Sequence, residues 1–206
     1  MTAPRGTFRM KPKIKVCGIN NAGFATAAAK AGVDYLGLIF AAGSPRCVTP
    51  EEAARIIAAA GRAGPRFVGV FTEHDVEDVI AIASRLGLYA VQLHSARYGA
   101  RDCARLRSRG FQVWMLDDTS GDRVLIDGRD GAKTGGTGKK GDWTKAAALV
   151  AQGYKVVLAG GISCENIRDA IALRPDTIDV NSSIETSPGV KSIDLLRRLL
   201  DAIDNK

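Results

Sequence analysis

Residues 35–40 read Tyr-Leu-Gly-Leu-Ile-Phe, and residues 49–60 read Thr-Pro-Glu-Glu-Ala-Ala-Arg-Ile-Ile-Ala-Ala-Ala. The first run is apolar throughout rather than alternating, as expected of a parallel strand covered on both faces. The second opens with Thr49 as N-cap and Pro50 at the first helical position. It then places Ala53, Ile56, Ile57 and Ala60 on one face. A doubly covered strand followed closely by an amphipathic helix is one β/α unit.

The unit repeats in both directions. Strand-like runs are read at Ile14–Cys17, Tyr35–Phe40, Phe67–Phe71, Ala90–Leu93, Gln112–Leu116, Val124–Asp127, Lys155–Ala159 and Thr177–Asn181. Helical periodicity fills most of the gaps: Val76, Val79, Ile80, Ala83 and Leu86 form one stripe, and Ile193, Leu196, Leu200 and Ile203 form another. Eight strands in regular alternation with helices predict an α/β chain closed into a (β/α)8 TIM barrel. An open doubly wound sheet is the structural alternative. One link breaks the rule, because the seven residues Asp117 to Arg123 are too few for a crossover helix. The fifth helix is therefore expected to be shortened or replaced by a loop. No linker divides the chain, so residues 13–206 are read as one domain behind a flexible extension, 1–12.

The composition agrees with a globular protein: 206 residues, 46% apolar and 25% charged. No stretch is long and apolar enough to span a membrane, and the start has no apolar core of a signal peptide. Cys17, Cys47, Cys103 and Cys164 are scattered, with no C-x-x-C pair and no metal-ligand spacing. They are read as reduced thiols of a cytoplasmic protein with no metal. The net charge of +7 comes from basic residues spread along the chain with few aromatics between them. It is read as a solvated surface that favours small anions, ahead of nucleic acid.

A barrel keeps its chemistry at the C-terminal ends of its strands. Cys17 ends the first strand and is followed by Gly18; it is either a base or nucleophile once ionised, or a small buried hydrophobe. Asp127 ends the sixth and is either a general acid kept protonated by burial or an anchor for its loop. Arg46, in Ser44-Pro45-Arg46 past the second strand, is either a carboxylate clamp or a turn residue. Gly135 to Gly138, Ala159-Gly160-Gly161 and Asn181-Ser182-Ser183 offer backbone N–H groups. The loops after strands seven and eight are where barrels commonly hold phosphate. Gly136, Gly138, Gly160, Gly161, Ser182 and Ser183 are thus the phosphate-binding candidates. His94, ending strand four, is either a substrate contact or a rim residue; His74 is given no role. Cys164, near the start of the seventh helix, is the rival reactive thiol.

In order, Lys-Val-Cys-Gly-Ile (15–19), Ser-Pro-Arg (44–46), Val-Gly-Val-Phe (68–71), Val-Gln-Leu-His (91–94), Gly-Gly-Thr-Gly with Asp-Trp (135–143), Leu-Ala-Gly-Gly-Ile with Glu-Asn-Ile (158–167) and Glu-Thr-Ser-Pro-Gly-Val-Lys (185–191) resemble the phosphoribosylanthranilate isomerases of tryptophan biosynthesis. The resemblance runs from about Lys13 to the last helix. It implies an Amadori rearrangement of N-(5-phosphoribosyl)anthranilate, a phosphorylated anionic small molecule, to the carboxyphenylamino-deoxyribulose phosphate, with no cofactor. Under it, Asp127 protonates the ring oxygen, Cys17 as thiolate takes the C2 proton, and Arg46 pairs with the anthranilate carboxylate. Asp179 orients Arg46 or the substrate, or is structural. A thiol of ordinary pKa about 8.5 needs only modest depression for this.

Three departures stand out. Ser95 replaces the glycine usual after Gln-Leu-His, Ser183 replaces the glycine expected after Ser182, and the fifth link is short. The aminoimidazole-carboxamide ribotide isomerases share the fold but call for an aspartate where this chain has Cys17. A catalytically silent phosphate-binding barrel is the alternative of another kind, and a monomer or a homodimer is expected.

Overall fold

The computed structural model describes residues 11–61, 63–130, 133–134 and 142–204. Eight parallel strands are found where the apolar runs predict them. They are β1 (Lys13–Val16), β2 (Tyr35–Ile39), β3 (Arg66–Phe71), β4 (Ala90–Leu93), β5 (Gln112–Leu116), β6 (Arg123–Ile126), β7 (Val156–Leu158) and β8 (Thr177–Val180). Each pairs with its neighbour in the chain, and β8 pairs back to β1, so the barrel is closed and the open sheet is excluded.

The strand pleat divides the apolar side chains into two layers. Leu36, Leu38, Val91, Leu93, Val124, Ile126, Ile178 and Val180 face outward into the layer shared with the helices. Tyr35, Val68, Ala90, Trp114, Leu125 and Val157 fill the barrel itself. Its floor is sealed by Trp114, edge-on to Tyr35 with 5.1 Å between ring centroids. Arg123 lies over the indole at 5.1 Å and is paired with Asp176 at 2.7 Å.

Seven helices cover the outside among the described residues: α1 (Ala22–Lys30), α2 (Pro50–Ala60), α3 (Val76–Leu86), α4 (Ala100–Ser108), α5 (Trp143–Ala151), α6 (Ile167–Ala172) and α7 (Ile193–Asp204). Thr49 caps α2 as predicted, and Glu52 returns the favour in a full capping box. Val76, Val79, Ala83 and Leu86 are the buried stripe of α3. On α7 the buried pair is Leu196 and Leu199, while Ile193, Leu200 and Ile203 pack at the edge of the core. The predicted stripe was therefore right in face and incomplete by Leu199.

No helix follows β5. Asp117 to Asp122 turn directly back, with Asp117 in the left-handed region at φ 58°. The Asp122 carboxylate accepts the Val113 N–H at 2.7 Å and stitches the loop to β5. No described helix is long and apolar enough to cross a membrane. Residues 1–10 of the expected extension lie outside the described residues, and Lys11 is paired with Asp204 of α7.

Candidate active site

The C-terminal mouth of the barrel opens a cavity of about 530 Å3 lined by Cys17, Arg46, Gln92, His94, Asp127, Gly160, Gly161, Asp179 and Ser182, among others. Most of the predicted site residues are thereby brought together. Gly136 and Gly138 lie outside the described residues. Ser183 sits beneath the rim, its Oγ buried with no hydrogen-bond partner among the described residues. Cys164 is exposed in the turn before α6, away from the cavity lining.

Cys17 follows β1 directly, and its N–H continues the ladder to the Val180 carbonyl at 2.9 Å. This fixes the thiol on the inward side, 6% exposed. Burial pushes the Cys17 thiol up from its ordinary value; Lys15 draws it back down and Asp179 adds to the rise. The thiol is thus held above its ordinary value, where the role of base calls for a modest depression.

Asp127 ends β6, and its two oxygens are held differently. Oδ1 accepts the N–H of Gly128 at 2.7 Å, while Oδ2 lies 3.4 Å from Nε2 of His94. Gln92 Nε2 lies 3.2 Å from Nδ1 of the same ring. If the amide donates there, Nδ1 is the acceptor and the Nε2 proton faces Asp127. Gly160 explains the tight fit behind this aspartate. It has φ 79°, and a Cβ on it would lie 2.1 Å from the Gly128 nitrogen and 2.9 Å from Asp127 Oδ1.

Arg46 is 8% exposed and crosses over Gly18, where an added Cβ would sit 2.5 Å from its Cδ. Its Nε and Nη2 both bond Glu185, each at 2.7 Å, in a bidentate pair. Glu185 also accepts from Lys191 at 2.7 Å, and the two cations hold its carboxyl down at about 2 despite burial. Of the alternatives for Asp179, that of orienting Arg46 is corrected, since Glu185 holds that guanidinium. Asp179 is instead paired with Lys15 at 2.6 Å through Oδ2, and its Oδ1 is buried without a hydrogen-bond partner among the described residues.

Lys15, Glu185, Lys191 and Gln92 were given no role from the sequence. Lys15 carried a legible signal: it shares an inward register with Cys17, two residues on, and lies between the apolar Ile14 and Val16. Glu185 reaches Arg46, and Lys191 reaches Glu185, through a short hairpin, Glu185–Ser187 with Val190–Lys191, that follows β8. Among the described residues no cluster of His, Cys, Asp and Glu has a metal-binding arrangement.

The family model for N-(5'-phosphoribosyl)anthranilate isomerase matches residues 14–202. The chain belongs to this family. An N-(5'-phosphoribosyl)anthranilate isomerase of Citrifermentans bemidjiense is 38% identical over 201 residues, covering 91% of this chain and 95% of that protein. The crystal structure of the Thermus thermophilus phosphoribosyl anthranilate isomerase superposes with a TM-score of 0.84 at 32% identity, covering 93% of this chain and 98% of that one. A further phosphoribosyl anthranilate isomerase structure contains reduced 1-(o-carboxyphenylamino)-1-deoxyribulose 5-phosphate. It matches with a TM-score of 0.80 at 28% identity over 94% of this chain and 98% of that one.

Proposed function

We propose that this chain converts N-(5'-phosphoribosyl)anthranilate to 1-(2-carboxyphenylamino)-1-deoxyribulose 5-phosphate, with Asp127 as acid and Cys17 as base. The observation that carries the assignment is that both groups line one cavity from β1 and β6, strands that are not neighbours in the barrel. Acid and base can therefore address different atoms of one bound sugar.

Protonated Asp127 gives its proton to the ring oxygen, the C1–O bond breaks, and the anthranilate nitrogen lone pair forms the Schiff base. Cys17 as thiolate then removes the proton from C2, and the electron pair moves through C1 to nitrogen. The resulting enaminol gains a proton at C1 and loses one from its hydroxyl to give the ketone. One proton leaves the acid and one reaches the base, so the steps balance without a redox partner.

Arg46 supplies a buried guanidinium for the anthranilate carboxylate, and with Nε and one N–H of Nη2 on Glu185, Nη1 and the second N–H of Nη2 are the donors left for it. The phosphate is assigned to Gly160, Gly161 and Ser182, with Ser183, Gly136 and Gly138 as its further candidates. His94 stands beside Asp127 at the substrate. Asp179 lines the cavity and is assigned to a substrate hydroxyl. All of these groups come from one chain, which fits a monomer or a homodimer.

The test is consumption of freshly made phosphoribosylanthranilate, followed by its fluorescence, by the parent and by Cys17→Ser and Asp127→Asn. Each variant should lose at least about a hundredfold in kcat, while both still bind the reduced product analogue. A folded parent that binds the analogue without turnover would instead identify a silent barrel.

A further inference from the structure

Lys15 is the charged residue that a barrel core has least reason to contain. It is fully buried, and its only direct ion pair among the described residues is with Asp179, at 2.6 Å. A buried ion pair gives little net stability over apolar side chains of similar size, so packing alone does not account for it. Its position does. Lys15 and Cys17 are i and i+2 on one strand and share its inward face, while Asp179 is the register partner of Lys15 on β8. On the other side, Gly37 of β2 makes room where the two β1 side chains converge. A Cβ there would lie 2.9 Å from Cys17 Sγ and 3.1 Å from Lys15 Cε.

One ammonium therefore serves two groups able to carry negative charge. With Asp179 ionised and Cys17 protonated, the cluster is neutral. When the thiol ionises, the same ammonium is the foremost positive charge acting on the sulfur. The other charges felt at the sulfur are Lys191, from the hairpin after β8, and Arg46, from the loop after β2. Both are engaged with Glu185. His94 and Asp127 line the cavity from β4 and β6.

We propose that Lys15 is the positioning residue that makes Cys17 a base: its buried ammonium, between the Asp179 carboxylate and the sulfur, carries the thiolate's countercharge when the proton leaves. Asp179 sets the strength of that support, since it competes for the same ammonium. In agreement, Lys15 is the largest influence opposing the upward push of burial on the thiol, and Asp179 acts the other way. The proposal rests on the assignment of Cys17 as the base.

Opposite signs make it testable. The pH dependence of Cys17 alkylation by iodoacetamide is measured in the full chain and scored by peptide mass spectrometry, so that the exposed Cys47 and Cys164 do not count. At pH 7, Asp179→Asn should speed Cys17 alkylation and Lys15→Met should slow it, each by about tenfold, a one-unit move of the thiol. Lys15→Met alone strands the carboxylate and can fail to fold, so Lys15→Met/Asp179→Asn is compared with Asp179→Asn. In that background, with no buried carboxylate left over, loss of the ammonium should still slow alkylation about tenfold and move the acid limb of kcat to higher pH by about a unit. Equal alkylation in those two proteins, or single substitutions that shift it in the same direction, would overturn the proposal. A Cys17→Ser protein with full isomerase activity would overturn the base assignment instead, and the alkylation shifts would still stand.

Discussion

Replacing Glu185 by Gln should destabilise the protein in a way that depends on pH. The Glu185 side chain is 3% exposed and carries both the bidentate bond from Arg46 and the bond from Lys191. Its carboxyl is depressed from 4.5 to about 2. A depression of that size corresponds to about 3 kcal/mol of stability at neutral pH. Breaking a buried pair by removing one partner costs about 3–5 kcal/mol, in the same range. Because the folded value lies below the unfolded one, the contribution is fully present above about pH 4.5 and is lost as pH falls from there towards 2. Urea unfolding of parent and Glu185→Gln at pH 7 and at pH 3.5 reads this directly. The difference should be about 3 kcal/mol at pH 7 and clearly smaller at pH 3.5. A difference below about 1 kcal/mol at pH 7, the size of a surface pair, would refute the reasoning, as would one that does not change with pH. KM should rise more than kcat falls, since Arg46 would lose the partner that aims it.

Thr49→Ala removes the side-chain half of the α2 capping box and should cost about 1 kcal/mol in thermal or urea unfolding, with kinetics unchanged. Gly160→Ala forces a methyl towards the Gly128 nitrogen at a left-handed φ. It should raise KM and lower kcat together, each about tenfold or more in steady-state assays, because the loop proposed to hold phosphate and Asp127 are displaced at once. Unaltered kinetics in that variant would separate Gly160 from both.

The barrel was legible because burial on both strand faces and a 3.6-residue helix period are local patterns that survive in the linear sequence. The missing fifth helix was legible for a cruder reason: six residues between β5 and β6 cannot hold one. Cys17, Arg46 and Asp127 could be located because a barrel gathers its strand ends at one mouth. Their partners could not. That Glu185 rather than Asp179 holds Arg46 depends on how the hairpin after β8 folds, 139 residues from Arg46 in sequence. The upward shift of the Cys17 thiol depends on how deeply it is enclosed and on two opposite charges shared by one cluster, neither of which is written in spacing. Lys15 lay in plain view between the apolar Ile14 and Val16, and its inward register was the clue to its role.

The order of events assigned to acid and base can be tested in one measurement: trapping of the open-chain Schiff base with cyanoborohydride in Cys17→Ser and Asp127→Asn, each mixed with substrate. If Asp127 opens the ring and Cys17 acts afterwards, Cys17→Ser should accumulate trapped adduct well above the background of free substrate, and Asp127→Asn should not. Trapping confined to Asp127→Asn, or none above background in Cys17→Ser, would contradict the account.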